Sequence, residues 1–233
     1  EINITNIIPN STTQLFAISY NDPKIIFERK NKILQKQNKY WTWEKSRKIF
    51  EDKSKFYYSD FINELENEAG YFNTSPSLNN NYSYTYFNTK ESIRATSLLQ
   101  EIITNISSYK DFNIYKILDD NFTANLFGDF FRFDHLFFTT INDYFIFGNS
   151  EIALEYIIDH FKTENTLADN NSFRKLTTYI SNKSNLFYYI NPGKTSNALR
   201  SKIVNKNLIS FDTDSIAKFT AFTLQINSTK NGM

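Results

Sequence analysis

Between Asp111 and Phe147 the sequence reads DFNIYKIL, FTANLFGDFF, HLFFTTI and DYFIFG, four short runs dense in Phe, Ile, Leu and Tyr with brief polar breaks. Aromatic and β-branched runs of this length, bounded by turn residues, predict antiparallel strands, the last two joined by a tight turn at Asn142-Asp143. Such a sheet must bury its apolar side under something, so the flanking sequence has to supply helices.

It does. TQLFAISY (Thr13 to Tyr20) reads as a strand, and Asp22 followed by Pro23 as a helix cap and first turn. The helix after it, Lys24 to Leu34, would turn Ile26, Phe27, Ile33 and Leu34 to one side. A second helix is expected around YYSDFINELENEAG, with Tyr57, Phe61, Leu65 and Ala69 recurring every four residues as its apolar stripe and Glu64, Glu66 and Glu68 off that stripe; NTSPSLNN (Asn73 to Asn80) then reads as a loop. NYSYTYFN puts Tyr82, Tyr84 and Tyr86 on one strand face. Asn88 and Glu91 resemble a capping box for a helix carrying Ile93, Leu98, Leu99, Ile102, Ile103 and Ile106. Further on come a helix Glu151 to Lys162 with Ile152, Tyr156, Ile157 and Phe161 inward, a short helix Ser172 to Ile180 and the strand NLFYYI. A helix Ser196 to Val204 and the strand KFTAFTLQI close the chain. The expected fold is α+β, an antiparallel sheet packed by amphipathic helices, as one domain over residues 1–233.

TQLFAISYNDPK and SNLFYYINPGK echo one another, which suggests a duplicated unit, the first copy over 1–183 and a truncated second one over 184–233. The chain opens at Glu1 without Met and closes with NSTKNGM, so both ends are expected to be cuts in a longer protein.

Composition excludes several classes. Hydrophobic residues are 40% and aromatics 17%, enough to build a core. The 26 Lys and Arg against 25 Asp and Glu leave a net charge of +1, which gives no reason to expect a nucleic acid or an anionic membrane as partner. No apolar run approaches the roughly 18 residues of a membrane span, so any membrane link is expected through an anchor outside this segment. Cysteine is absent, which removes disulfides, Cys-ligated metals and thiol nucleophiles.

Five features invite a chemical reading. Gly193-Lys194-Thr195 ends as a P-loop does, but only Asn191 and Pro192 separate it from the strand, too little backbone for a phosphate cradle; a strand-to-helix turn with Lys194 and Thr195 solvated is expected. FGNSE (Phe147 to Glu151) has one Gly where the dinucleotide fingerprint has three, and reads as a capped corner. His135 follows Asp134 and His160 follows Asp159; either His is a candidate general base for a hydrolase, although no G-x-S-x-G marks a nucleophile. Glu151, Glu155 and Asp159 form an acidic helix stripe, read as a solvated face. Tyr82, Tyr84 and Tyr86 are the candidate ligand-binding residues, as an aromatic platform for a glycan. No cofactor or metal site is indicated.

The segments IIPNSTTQLFAISY (Ile7 to Tyr20) and DYFIFGNSEIALEYIIDHF (Asp143 to Phe161), followed by Asn171-Ser172-Phe173 and NLFYYI, resemble a family of uncharacterised exported, lipoprotein-like bacterial proteins carrying a domain of unknown function. The resemblance implies an extracytoplasmic setting, periplasmic or at the cell surface, and no known catalytic residues. The expectation is a non-catalytic structural or interaction module of the bacterial envelope with a protein or glycan partner. The alternatives are the His/Asp hydrolase and the tyrosine-platform glycan binder.

Overall fold

The computed structural model describes residues 2–77, 80–119, 121–132, 137–181, 183–195, 219 and 221–227. The expected helix Ser196 to Val204 and His135 with its neighbour Asp134 lie outside them. The protein is α+β with antiparallel pairing, as expected. Its strands are β1 (Thr12–Ser19), β2 (Leu65–Ser77), β3 (Asn80–Thr89), β4 (Ile103–Tyr109), β5 (Phe112–Ile117), β6 (Phe137–Ile141), β7 (Tyr144–Gly148), β8 (Leu186–Ile190) and β9 (Phe222–Ile226). The α-helices are α1 (Pro23–Lys36), α2 (Tyr40–Ser54), α3 (Tyr58–Ile62), α4 (Ser92–Leu98), α5 (Phe122–Phe127), α6 (Glu151–Lys162) and α7 (Asn171–Thr177). The described residues fall into two compact units, one drawn from 1–18, 71–83 and 156–233, the other from 19–70 and 84–155.

In the first unit the strand order is β2-β1-β8-β9, with β8 antiparallel to both neighbours. The two echoing segments are therefore sheet neighbours, Gln14 opposite Ile190 and Ile18 opposite Leu186. Leu15, Ala17, Phe72, Phe187 and Tyr189 line the buried side of this sheet, where Phe173 of α7 meets Tyr189 edge-on at 5.3 Å. Gly193-Lys194-Thr195 lies in a helix start. The Asn191 side chain accepts from the Lys194 N–H (3.1 Å), and its carbonyl accepts from the Thr195 N–H (3.1 Å) and hydroxyl (2.7 Å). Lys194 Nζ donates to the Asn10 carbonyl at 2.7 Å, so these side chains are bonded rather than merely solvated.

In the second unit the order is β4-β5-β6-β7-β3, all antiparallel. Asn142 at φ 54° makes the predicted β6–β7 turn. One side of this sheet is a block of phenylalanines: Phe87, Phe138, Phe145 and Phe147 from the strands meet Phe61 of α3 and Phe122 of α5, with ring centroids 5.2 to 5.9 Å apart. Offset and edge-on rings at these separations add to the burial of large apolar area.

Several expected elements differ. Residues 65–70 are strand, not helix: Leu65 and Ala69 are buried as expected, but so are Glu64 and Glu68. Residues four apart share a side in a helix and in a strand alike, so the period-four stripe did not separate the two. The expected loop 73–80 is largely strand, the end of β2 and the start of β3. The long helix after Glu91 stops at Leu98, and Ile103 onward is β4; its N-cap is Glu91, and Ile93 is 79% exposed. FTANLF is helix α5 rather than strand. Around Trp41 and Trp43, where no element was expected, α2 runs for 15 residues. On α6 the buried side is Ala153, Leu154, Ile157 and Ile158, with Ile152 turned out.

Candidate functional site

The convergence of titratable and aromatic side chains richest in bonds lies in the second unit, where α1 and α2 pack by α5. Asp22 caps α1 as predicted, accepting from the Lys24 N–H at 2.9 Å. The inward side of α1, however, is Ile26, Phe27, Lys30 and Leu34; Ile33 is 55% exposed. Lys30 is only 5% exposed. Its amine sits 4.0 Å from the Phe27 ring centroid and 3.8 Å from that of Trp43, and it donates to the Asn125 carbonyl. A long aliphatic stem lets a lysine occupy an apolar position while its head finds such partners.

Asn125 then joins three elements. Its side-chain oxygen accepts from Trp43 Nε1 at 3.0 Å, and its Nδ2 donates to the Tyr58 hydroxyl and to Asp119 Oδ2, each at 3.0 Å. The Tyr58 hydroxyl itself donates to Asp119. On α2, Arg47 is clamped between Glu44 (2.8 Å) and Glu51 (2.7 Å), and Glu51 also accepts from the Tyr58 N–H at 3.0 Å. Beside this network is a cavity of about 530 Å³ whose lining includes Trp43, Arg47, Phe50, Asp119, Asn121 and Arg132.

The electrostatics follow from burial and pairing. Burial pulls the Lys30 amine down to about 7; Arg47 pushes the same way, and Glu44 and Asp129 oppose. Hydrogen bonding to Arg47 holds Glu44 below the usual carboxylate range. Burial works against the Arg47 charge, but Glu44 and Glu51 outweigh it. Burial, then the Asp119 charge, pushes the Tyr58 hydroxyl well up.

These shifts give a pH dependence with a definite sign. The Lys30 pKa is lower folded than unfolded, so between about pH 7 and the ordinary lysine value of 10.5 the unfolded chain binds the extra proton and stability rises with pH. The Tyr58 pKa is raised, so its contribution is present below about 10 and is lost as pH climbs beyond it. The melting temperature should therefore peak at roughly pH 9 to 10. In Lys30→Met the rise from pH 7 should flatten while the alkaline fall remains, as melts across that range would show.

Gly128, just after α5, adopts φ +99°, and a Cβ there would meet Lys30 Cγ at 3.4 Å. Gly128→Ala should lower stability by about 1–2 kcal/mol in urea titration, because an L-residue is strained at that φ.

The residues predicted from sequence lie elsewhere. Tyr84 and Tyr86 are fully buried, the first donating to the Ala153 carbonyl at 2.9 Å and the second to Glu68 Oε1 at 3.1 Å; Tyr82 alone of the three is half-exposed, its ring 5.8 Å from that of Tyr156. The row is not an exposed platform: residues 84–87 are covered on both faces of the strand. Tyr144 completes the carboxylate's surroundings, donating to Glu68 Oε2 at 2.8 Å.

His160 has its Nδ1 2.8 Å from the Tyr156 carbonyl and its ring 4.2 Å from that of Tyr156, and among the described residues no Ser, Thr or carboxylate side chain is hydrogen-bonded to the His160 ring. Glu151 accepts from the Ser107 hydroxyl at 2.8 Å, and Ser150 caps α6 by accepting from the Ala153 N–H at 3.2 Å. Gly148 marks close packing: a Cβ there would meet Leu154 Cδ2 at 3.2 Å. Among the described residues no His, Asp and Glu group could hold a metal ion, and no helix is long and apolar enough to cross a membrane.

Sequence reasoning missed the Lys30–Asn125 network. Its signal was a lysine four residues before an apolar Leu34 and three after Phe27, on the side that must face inward.

A family model described as a protein of unknown function, DUF3352, matches residues 85–233. No curated protein and no solved structure matches the chain. Three of the segments that carried the resemblance, Asp143 to Phe161, Asn171-Ser172-Phe173 and NLFYYI, lie in the matched stretch, and Ile7 to Tyr20 lies before it. The chain belongs to the DUF3352 family, whose function is unknown.

Proposed function

We propose that this chain is a non-catalytic structural or interaction module of a bacterial envelope protein, working outside the cytoplasm. One observation carries the non-catalytic part: the titratable groups gathered by α1, α2 and α5 are tied to one another. Arg47 is held by two glutamates, Asp119 by Tyr58 and Asn125, and Lys30 by two rings and a carbonyl. Groups so committed stiffen a helical layer; a general base or nucleophile needs a partner geometry that leaves it open to a substrate. The envelope setting rests on the sequence resemblance and suits a chain without cysteine.

The test is complementation of a deletion strain with Asp119→Asn, His135→Ala and His160→Ala, each checked for an unchanged melt. All three are expected to restore the wild-type phenotype. A variant that folds normally yet fails to complement would overturn the reading in favour of an enzyme. Protease treatment of spheroplasts, whose outer barrier has been removed, should cleave the protein; protection until the inner membrane is lysed would overturn the envelope assignment.

A further inference from the structure

The chain's net charge of +1 averages over a sharp local imbalance. Residues 23–55, which are α1, α2 and their connections, hold eleven Lys and Arg against four Asp and Glu, a formal net of +7. Nine of the eleven are lysines. The inward side of this hairpin is spent on the Lys30, Trp43, Arg47 and Glu51 contacts described above. The outward side carries the remainder.

On α2, Trp41, Lys45, Lys48 and Ile49 recur at i, i+4, i+7 and i+8, one stripe opposite the buried residues. Trp41 is 80% exposed and Ile49 59%. On α1 the exposed side presents Arg29, Lys32 and Lys36 beside the exposed Ile33. Lys32, Lys36 and Lys45 carry no ion pair among the described residues. A tryptophan this exposed, on one helix stripe with the unpaired Lys45 and the exposed Ile49 and with its ring contact to Tyr40 of the same helix, contributes little to the tertiary fold, and such patches mark interaction sites.

We infer that the outward face of the α1–α2 hairpin docks the protein onto an anionic lipid bilayer. The chemistry fits that occupant at both levels. Lysines meet the phosphate headgroups as point charges, and tryptophan with flanking aliphatic side chains sits at the headgroup boundary, where a ring with one polar edge belongs. A nucleic-acid groove would be a weaker match: Glu28 and Asp52 stand among the exposed residues, arginine is scarce, and the aliphatic Ile33 and Ile49 offer no ring on which a base could stack. The inference does not depend on the envelope assignment, since it concerns the purified chain and a lipid surface.

The experiment is co-sedimentation of the full chain with vesicles of phosphatidylcholine alone and of phosphatidylcholine mixed with phosphatidylglycerol. The protein should pellet with the anionic vesicles, stay in solution with the neutral ones, and be released near 1 M salt, where charges are screened within about 3 Å. Binding should shift tryptophan emission to the blue in wild type but not in Trp41→Phe, which retains the interior Trp43. Lys45→Ala should weaken partition about fivefold, and the triple change of Lys32, Lys36 and Lys45 to Ala about a hundredfold. Trp41→Ala should weaken it with an unchanged melting temperature. Equal partition onto neutral vesicles, no partition onto either, indifference to Trp41→Ala, or tighter binding to a single-stranded oligonucleotide than to anionic vesicles would each overturn the inference.

Discussion

Phe122→Ala is expected to lower the unfolding free energy by about 3–5 kcal/mol, read from the urea midpoint at constant slope. Phe122 is 1% exposed, and its ring lies 5.3 Å from Phe61, 5.5 Å from Phe147 and 5.7 Å from both Phe56 and Tyr58. It is the one residue of α5 whose ring reaches α3, β7 and the segment leading into α3 together. Removing it loses the transfer term and leaves a void that rigid neighbouring rings cannot collapse to fill. Phe122→Leu should cost about 1–2 kcal/mol, since most of the volume remains. A loss from Phe122→Ala below about 1 kcal/mol would show that the phenylalanine block is not packed as described.

Glu51→Ala is the second large effect, expected at about 3–5 kcal/mol. The carboxylate accepts twice from Arg47 at 2.7 Å and once from the Tyr58 N–H at 3.0 Å. Its removal leaves a largely buried guanidinium with Glu44 alone, and strands a buried amide donor. Glu51→Gln separates the two roles. It keeps an acceptor for the Tyr58 N–H and removes the charge, so a loss of about 1–2 kcal/mol is expected. Equal losses for Ala and Gln would mean that the amide bond contributes nothing. Thermal melts in low and high salt should also show the Glu51→Ala deficit surviving screening, because the pair is shielded from solvent.

Elements with local punctuation were legible in the chain. Asp22-Pro23 announced α1, Gly148-Asn149-Ser150 announced α6, and Asn142-Asp143 announced the β6–β7 turn, because caps and turns are satisfied by residues a few positions apart. The errors share another cause. Leu65 to Ala69 fits both periods, and FTANLF is apolar enough for a strand or a buried helix; which one forms depends on what lies across the core. Glu68 shows the limit most clearly: as a glutamate in a charged run it reads as solvated, yet two tyrosine hydroxyls enclose it, from Tyr86 18 residues away and from Tyr144 76 residues away.

The candidate site follows the same division. Composition and charge excluded thiol chemistry and a membrane-spanning run, and the N-P-G-K-T spacing excluded a phosphate cradle, all without coordinates. The class, α+β with antiparallel strands, also followed from the pattern of runs and caps. Only the tertiary structure placed Tyr84 and Tyr86 in the interior, drew Lys30 between Phe27 and Trp43, and turned Trp41 outward two residues from the inward-facing Trp43. Burial depends on which partner covers a face, and the partners here lie tens of residues apart, at distances over which local propensity carries no information.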